Sequence, residues 1–328
     1  MMKIGLSSLM LSCALLVVGV SAAAAATPPL SADAPMTRVT MGTATPGGGF
    51  QLFGQNLAEV INATDPGLHV EAIATRGSRE NLTLLEQGKI DIGLVEGNAA
   101  RQALDGIGRS PANLKVLGVM YPNAGMFVVR ADSDYRAIED LKGKPVAFGT
   151  RASGLRILVN DVLSGLGLSP EEDFQQIILD KAGDGPRMVL EGKAEALWGA
   201  GIGWPGFVKL ADSPVGAHFI PPSPEQVRQI LARHPHLRRM TVPAGSYRGQ
   251  AADIHSVGLW SLILIRPDVP DAIAYRLAAA MHAGEPALAE RLAQGRFTTL
   301  KNTLAEVPPG SLHPGVTRHH EETRLSRE

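Results

Sequence analysis

The sequence predicts an α/β protein made of two lobes of similar build. Three observations predict this class: strand-like and helix-like segments alternate, a strand–glycine turn–helix unit occurs twice, and one short pattern recurs. Strands that are separated by helices of this length are typical of parallel βαβ units. A chain of 328 residues is also long enough to form two domains.

The first unit is the stretch 42–50, Gly-Thr-Ala-Thr-Pro-Gly-Gly-Gly-Phe, which follows a short apolar run. It leads into a helical pattern that places Phe53, Leu57 and Ile61 on one face. A helix start carries free N–H groups and the positive end of the helix dipole, and glycines let a ligand approach the backbone closely. The unit therefore predicts a binding site for an anion.

The chain then continues the alternation. The predicted elements are a strand over 68–75, a helix from the N-cap Ser78 to Gly88, a strand over 90–95 and a helix over 98–104. The second strand–turn–helix unit comprises a strand over 145–149, a turn over 150–154 and a helix over 155–166. An apolar run over 257–266 predicts a buried strand that returns to the first lobe, and helices follow over 270–281 and 287–292.

The recurring pattern relates the segments 85–92 and 190–197, in which a helix ends at glycine and a lysine leads a strand. This pattern indicates two lobes of similar build. We expect the first lobe to comprise 38–131 plus 257–328 and the second to comprise 132–256. The tail from Arg318 is expected to be exposed to solvent.

The N-terminus predicts export to the periplasm. Lys3 precedes an apolar segment over 4–20, and small residues over 21–26 suit a signal peptidase. We expect a cleaved signal peptide over 1–26, followed by a flexible N-terminus over 27–37. The alternative is a membrane anchor, although the apolar segment is shorter than the roughly 20 residues that a span requires.

Composition excludes several classes of site. Cys13 is the only cysteine and lies within the predicted signal peptide, so the mature chain has neither disulfides nor thiolate metal sites. A net charge of −1 indicates neither nucleic acid nor an anionic membrane as a partner, and only 5% of the residues are aromatic, which argues against base-stacking or carbohydrate-binding surfaces. We expect a mature protein that is not embedded in a membrane.

Other chemical interpretations fit the motifs less well. The glycine stretch lacks the Gly-Lys-Ser/Thr of a P-loop and the acidic residue of a dinucleotide site, and no Gly-x-Ser-x-Gly elbow occurs. His313, His319 and His320 are interpreted as parts of a turn and a solvated tail and not as metal ligands. We therefore expect no catalytic residue, no metal site and no cofactor.

Several motifs, taken in order, resemble the solute-binding subunits of TRAP transporters of the TAXI type. The resemblance spans roughly 38–320 and rests on the segments 42–54, 74–82, 88–95, 140–144, 242–247 and 312–315. It implies the type II periplasmic binding protein fold, in which two α/β lobes are joined by crossing hinge strands and the ligand cleft lies between them. It also implies a small carboxylate ligand, glutamate-like or dicarboxylic, and a membrane permease as partner.

The resemblance and the two turns together assign the candidate ligand-binding residues to the turns that face the cleft. These residues are Thr43, Gly47, Gly48, Gly49, Phe50, Thr75, Arg76, Gly77, Ser78, Asn81, Glu96, Asn98, Arg151, Ser153, Gly154, Trp198 and Gly201. Trp204 is a further candidate for the cleft wall.

Two departures from the family pattern bear on the ligand. Arg76 stands where the family has a glycine, and Leu155 replaces a threonine in the second turn, which Arg151 precedes. Two arginines at facing turns would favour a ligand with two carboxylates, because guanidinium binds carboxylate bidentately. The alternative is that both arginines are exposed at loop rims.

The sequence favours a binding protein that closes on its ligand without chemistry. A periplasmic sensor or adaptor, and an enzyme on the same scaffold, remain as alternatives. Enzymes of that scaffold rely on cysteines that the mature chain lacks.

Overall fold

The computed structural model describes residues 36–325, and strands alternate with helices throughout this part of the chain. The predicted signal peptide over 1–26 lies outside the described residues, as does most of the predicted flexible N-terminus over 27–37. Every helix in the described part is too short or too polar to cross a membrane.

The first sheet has five strands in the order β2-β1-β3-β12-β4, with β1 parallel to β2 and β3, and β12 antiparallel to both of its neighbours. Its strands are β1 (Thr37–Gly42), β2 (Leu68–Ile73), β3 (Ile92–Val95), β4 (Lys115–Pro122) and β12 (Trp260–Ile265). The apolar run over 257–266 returns the chain to the first sheet through Trp260–Ile265, but it is not the single strand predicted, because Val257 and Gly258 end a different strand that pairs outside this sheet.

The second sheet also has five strands, in the order β7-β6-β8-β5-β9. Its strands are β5 (Gly125–Arg130), β6 (Pro145–Thr150), β7 (Gln175–Leu179), β8 (Ala196–Ala200) and β9 (Ala217–Ile220). β6 is parallel to β7 and β8, and β5 is antiparallel to β8 and β9. A separate antiparallel pair is formed by β10 (Arg238–Val242) and β11 (Ile254–Gly258).

Eleven α-helices lie between and after these strands in the described part of the chain. They are α1 (Gly49–Thr64), α2 (Ser78–Glu86), α3 (Gly97–Asp105), α4 (Leu155–Gly165), α5 (Asp184–Leu190), α6 (Pro205–Ala211), α7 (Pro224–Arg233), α8 (Asp271–Ala283), α9 (Glu285–Arg291), α10 (Leu300–Glu306) and α11 (Pro314–Leu325). The predicted face of α1 is buried, since Phe53, Leu57 and Ile61 are at most 1% exposed. Burial of each of these side chains contributes about 1.5–3 kcal/mol.

The two sheets have matching topology, and the recurring sequence pattern occupies the same place in both. In each case a helix (α2 or α5) ends, a glycine in the left-handed region follows, and the chain enters the third strand of its sheet (β3 or β8). The glycines are Gly88, with a φ of 66°, and Gly192, with a φ of 70°. We refer to the first sheet with its helices as lobe 1 and to the second as lobe 2, which confirms the predicted two-lobed α/β class.

Two short connections cross side by side between the lobes. The chain passes from β4 to β5 through Asn123, and from β11 to β12 through Leu259. The Asn123 N–H donates to the Leu259 carbonyl oxygen at 3.0 Å. A Cβ on Gly258 would lie 1.7 Å from the Asn123 carbonyl oxygen, so this close crossing requires glycine. Sheet membership thus changes at Gly125, earlier than the predicted lobe boundary at residue 132.

The prediction of a solvent-exposed tail from Arg318 is wrong. The tail forms α11, which packs on α8 and buries Val316, His319 and His320 at the spacing of one helix face. A Cβ on Gly315 would lie 2.1 Å from the Asp271 carbonyl oxygen, so glycine permits the close contact between the two helices. The sequence does not mark this buried face of α11 as apolar, because two of its three members are histidines.

Asn81 connects three elements of lobe 1 from a fully buried position. Its Nδ2 donates to the carbonyl oxygens of Thr43 and Leu94 at 2.8 Å and of Gly42 at 3.2 Å. Its Oδ1 accepts a hydrogen bond of 2.7 Å from the Thr75 hydroxyl. One amide on α2 therefore joins the ends of β1 and β3 to the turn that precedes α2.

We expect Asn81→Ala to lower the free energy of unfolding by about 3 kcal/mol, because buried carbonyl groups and a hydroxyl lose their partner. Urea unfolding of the mature protein measures this change. Asn113→Ala, at an exposed position, is the matched control and should stay within about 0.5 kcal/mol of the wild type. A loss below about 1 kcal/mol for Asn81→Ala would contradict the assigned role.

The buried histidines of α11 predict a loss of stability in acid. Burial, together with the neighbouring His319 and His282, lowers the pKa of His320 from 6.5 to about 4. The unfolded chain therefore binds a proton that the folded chain excludes, and stability falls as pH decreases from about 6.5 towards 4. This site alone should remove roughly 2 kcal/mol between pH 7 and pH 5.

Denaturant unfolding at both pH values checks this expectation. The variant His320→Leu should show a smaller difference between pH 7 and pH 5 than the wild type. An unchanged pH dependence in the variant would show that His320 is not responsible.

Candidate functional site

A cleft lies between the lobes, at the turns that follow β1, β2 and β3 in lobe 1 and β6 and β7 in lobe 2. Ten of the predicted residues line it: Gly48, Gly49, Phe50, Arg76, Gly77, Ser78, Glu96, Ser153, Gly154 and Trp198. Trp204, the further candidate, also lines the cleft. The remaining lining residues are Ala44, Thr45, Tyr121, Asn123, Gly149, Thr150, Leu155, Leu179, Ala182 and Ala200.

Hydrogen bonds join the two lobes at the turn between β1 and α1. The Ala182 N–H donates to the Thr45 hydroxyl at 3.1 Å, and the Gly183 N–H donates to the Pro46 carbonyl at 3.3 Å. Gly47, with a φ of 78°, packs here, where an added Cβ would lie 2.6 Å from the Cα of Gly183. Gly47 therefore serves the contact between the lobes and does not line the cleft.

A second contact between the lobes involves the turns that precede α2 and α4. The Arg79 N–H donates to the Ala152 carbonyl oxygen at 3.2 Å. Gly77, with a φ of 118°, lies so close that an added Cβ would be 3.3 Å from the same oxygen. With contacts at both turns, the cleft is enclosed between two lobes that touch each other.

The first turn of α1 faces the cleft. Its N-cap is Gly48, which makes no side-chain capping bond, and Gly49 and Phe50 follow as the first helical residues. The first N–H groups of a helix lack intrahelical partners, and the helix dipole adds partial positive charge there. This end of the cleft is suited to a negatively charged group.

Ser78 and Ser153 present hydroxyl groups at the starts of α2 and α4. The Ser78 Oγ accepts a hydrogen bond of 3.1 Å from the Glu96 N–H, which leaves its own proton for another acceptor. The Ser153 Oγ accepts a hydrogen bond of 3.2 Å from the Leu155 N–H. Both serines therefore line the cleft with an O–H group that remains available as a donor.

Two buried aromatic side chains add donors that are unpaired within the described residues. The Tyr121 hydroxyl and the Trp204 indole N–H line the cleft, and neither makes a hydrogen bond in the part of the chain that the structure describes. The Trp198 indole differs, because its N–H donates to the Leu155 carbonyl at 3.0 Å. Both donor groups border the open space of the cleft, so they are available to hydrogen-bond with polar atoms placed there.

Glu96 is the only carboxylate among the described residues that line the cleft, and it is 1% exposed. Its Oε2 accepts hydrogen bonds from the N–H groups of Asn98 at 3.0 Å and Ala99 at 3.4 Å, so it caps α3. Burial raises the pKa of Glu96 to about 8, although the bonds from Ala99 and Asn98 act in the opposite direction. A nearby cationic group would therefore favour loss of its proton.

Four predicted residues lie behind the turns and support them. The Thr43 hydroxyl donates to the Ile73 carbonyl at 2.8 Å, and Thr75 and Asn81 bond to each other. The Asn98 side chain donates to Glu96 Oε1 at 3.0 Å. These side chains hold neighbouring backbone or site residues, and among their polar atoms only the Asn98 Oδ1 is buried without a hydrogen-bond partner in the described residues.

Gly201 and the two arginines also differ from expectation in their placement. The Gly201 carbonyl accepts a hydrogen bond of 2.8 Å from the Tyr247 hydroxyl, and Gly201 does not line the cleft. Arg151 is exposed and likewise does not line it. Arg76 reaches the cleft, but its side chain is 77% exposed and pairs with Glu80 at 3.1 Å. Both arginines therefore match the alternative in which they lie at loop rims.

Tyr121 and Asn123 escaped sequence-based prediction because they lie at the end of β4 and in the first crossing connection. Nothing in the local pattern marks the end of this strand as part of the cleft. Leu179 and Ala182 lie at the end of β7 and in the turn after it. They reach the cleft only because of how lobe 2 packs against lobe 1. The lining residues, all of them described by the structure, include neither histidine nor cysteine, so they do not form a metal-ligating cluster.

Known structures share this fold at low sequence identity. A protein of Bordetella bronchiseptica RB50 aligns with 15% identity and a TM-score of 0.51, covering 88% of this chain and 89% of that one. A mutant of OxyR from Corynebacterium glutamicum, bound to H2O2, aligns with 12% identity and a TM-score of 0.51, covering 80% and 68%. At these identities the likeness concerns the fold alone.

The alkanesulfonate-binding protein SsuA from Xanthomonas axonopodis pv. citri, bound to MOPS, aligns with 19% identity and a TM-score of 0.49, covering 89% of this chain and 93% of that one. The predicted fold class, that of the type II periplasmic binding proteins, is confirmed. At the level of sequence, residues 41–323 match the NMT1-like family, which is most of the chain. The chain therefore belongs to the NMT1-like family.

Proposed function

We propose that this protein is an exported solute-binding protein that captures a small organic anion by closure of its two lobes. The observation that carries the proposal is a cleft enclosed between two touching lobes and lined by donor groups that make no hydrogen bond of their own within the described chain. The ligand would supply the missing acceptors. Closure excludes water from the cleft and strengthens each of these hydrogen bonds.

The chemistry of the donors supports an anionic ligand. The first turn of α1, the hydroxyl groups of Ser78 and Tyr121, and the Trp204 indole all present hydrogen-bond donors to the same space. Oriented neutral donors together with a helix dipole bind carboxylates without requiring a buried cation. In this scheme Arg76 is not needed inside the cleft.

The arginines around the cleft rim have a different role in the proposal. Burial lowers the pKa of Arg156, the charge of Glu171 opposes this shift, and the charges of Arg79 and Arg151 add to it. Arg79 and Arg156 lie in the first turns of α2 and α4, and Arg151 lies in the turn before α4. Positive charge at the mouth of a cleft attracts anions and raises their rate of association. Arg151 would therefore promote capture of the ligand without contacting it once bound.

Glu96 favours a glutamate-like amino acid over a simple dicarboxylate. A ligand carboxylate beside an ionised Glu96 would be repelled, whereas an ammonium group would pair with it. Because the pKa of Glu96 is about 8 without such a partner, binding of an amino acid near pH 7 would release a proton. A dicarboxylate would instead bind with Glu96 protonated.

The cellular role follows from the resemblance to TAXI-type subunits and from the predicted signal peptide over 1–26. We infer that the protein works in the periplasm and delivers its ligand to the permease of a TRAP transporter. A periplasmic sensor that presents ligand to a signalling partner is the second candidate. A neighbouring gene for a permease or for a sensor kinase would distinguish the two, and turnover of bound ligand would instead reveal an enzyme.

Titration calorimetry of the mature protein tests the ligand class with glutamate, 2-oxoglutarate and succinate. We expect saturable binding that is tightest for glutamate, with an enthalpy that depends on the ionisation enthalpy of the buffer as a proton is released. Glu96→Gln should weaken glutamate binding by about tenfold or more, corresponding to about 1.4 kcal/mol, and change succinate binding much less.

The matched control is Glu290→Gln, at an exposed position on α9, which should bind like the wild type. Absence of saturable binding by every carboxylate would refute the proposed ligand class. An equal loss for glutamate and succinate in Glu96→Gln would show that Glu96 does not meet an ammonium group.

Gly48→Val tests whether closure around the first turn is required. An added Cβ at Gly48 would lie 3.1 Å from the Thr45 carbonyl oxygen and 3.3 Å from the Ala182 Cβ, so valine methyl groups would occupy space that lobe 2 needs. The φ of −87° is accessible to valine, and the fold should therefore persist. We expect ligand affinity to fall by about a hundredfold, which is about 2.7 kcal/mol.

Calorimetry measures this affinity, and a thermal melt verifies that the variant remains folded. Gly310→Val is the control, since nothing lies within 4 Å of an added Cβ there. Wild-type affinity in Gly48→Val would mean that the α1 turn and lobe 2 need not approach during binding.

A further inference from the structure

Lobe 2 contains a cluster of metal-ligand side chains outside the cleft. Asp161 lies on α4, and His234 and His236 follow the end of α7 in the sequence His-Pro-His. The Asp161 Oδ2 is 3.0 Å from the His236 Nε2, and the Asp161 Oδ1 is 3.8 Å from the His234 Nδ1. One potential ligand atom of each residue lies within 4.8 Å of the other two.

These separations suit coordination of a single ion. Ligand atoms at about 2.0–2.2 Å from a tetrahedral zinc ion are roughly 3.3–3.5 Å apart. The observed separations bracket this range, so small rotations of the side chains would bring all three atoms onto one ion. The three side chains are 19–21% exposed, which leaves the cluster accessible from solvent but partly shielded from it.

Hydrogen bonding around Ser164 determines which nitrogen of His234 faces the cluster. The Ser164 hydroxyl donates its proton to the Asp161 carbonyl oxygen at 3.3 Å and lies 3.0 Å from the His234 Nε2. The Ser164 hydroxyl thus holds the Nε2 side of the ring, and the His234 Nδ1 faces the carboxylate of Asp161.

Both imidazoles direct a ring nitrogen at the same carboxylate. The His234 Nδ1 and the His236 Nε2 each adjoin an oxygen of Asp161, which is the arrangement that a shared cation would bridge. An outer hydrogen bond that orients a metal-binding imidazole is the usual companion of histidine ligands, and Ser164 supplies it here. Arg233, the neighbouring cation, donates to the carbonyl groups of Ser164 and Gly165 at 3.3 and 3.0 Å.

We propose that Asp161, His234 and His236 bind one divalent transition-metal ion of the class that prefers imidazole, such as Zn²⁺. Two imidazoles and one carboxylate satisfy three positions of such an ion, and water would complete its coordination. The ion would connect α4, whose start lies at the cleft, to the end of α7. The site is independent of the proposed ligand, because none of its three residues lines the cleft.

The test uses mature protein prepared without a polyhistidine tag and freed of metal with a chelator. Titration with ZnCl2 at pH 7.5 should show one equivalent bound with a dissociation constant of about 10 μM or lower. At 1 mM Zn²⁺, about a hundredfold above that constant, binding should raise the Tm by several degrees.

His234→Ala and Asp161→Asn should each weaken zinc binding by about tenfold or more and remove the rise in Tm. His255→Ala, at an exposed position on β11, should bind zinc like the wild type. His319→Gln tests the separate histidine group of α11, where the His319 Nε2 lies 3.3 Å from the His282 Nδ1; it should also leave zinc binding unchanged.

The proposal is overturned if no saturable binding occurs up to 1 mM Zn²⁺. It is also overturned if binding persists in His234→Ala and is lost in His319→Gln. Ligand calorimetry on the same variants separates this result from the proposed function, because carboxylate binding should survive the loss of the metal site.

Discussion

The buried amide of Asn81 is the interaction on which the candidate site depends. It draws the ends of β1 and β3 and the turn before α2 to a single point, through bonds of 2.7 to 3.2 Å. The turns that line one side of the cleft continue from these elements. Because a buried amide loses more when a partner is missing than it gains from any single bond, the arrangement is well defined. The polar atoms of Asn81 are all used in these bonds, and the turns that Asn81 supports line the cleft.

Each lobe has a complete sheet of its own, and only two short connections join the two sheets. In both sheets three parallel strands are followed by one antiparallel strand that the crossing connections bring in, β12 in the first and β5 in the second. The connections run side by side and are joined by the bond between Asn123 and Leu259. Opening would break the contacts at the cleft rim, such as the one between Thr45 and Ala182, without separating the strands of either sheet.

The electrostatics of the cleft differ from a simple pairing of arginines with carboxylates. Charged side chains stay at the rim, where water reduces their desolvation cost, while the interior presents neutral donors and one buried carboxylate, Glu96. Burial of a guanidinium without a partner would cost several kcal/mol whenever the lobes closed without a ligand. Helix termini and hydroxyl groups avoid this cost, because they carry only partial charge.

The sequence by itself determined the alternation of strands and helices, the repeated unit and the place of the glycine turns. These features rest on local periodicity and on glycines such as Gly77 and Gly88, whose positive φ values are local requirements. Tertiary structure decided which polar residues face the cleft, because Thr43 and Ser78 carry the same hydroxyl and differ only in what surrounds them. It also brought together Tyr121 and Trp204, and separately Asp161 and His234, from segments distant in sequence. Contacts between residues that are distant in sequence depend on how whole sheets and helices pack, and local sequence patterns do not predict that packing.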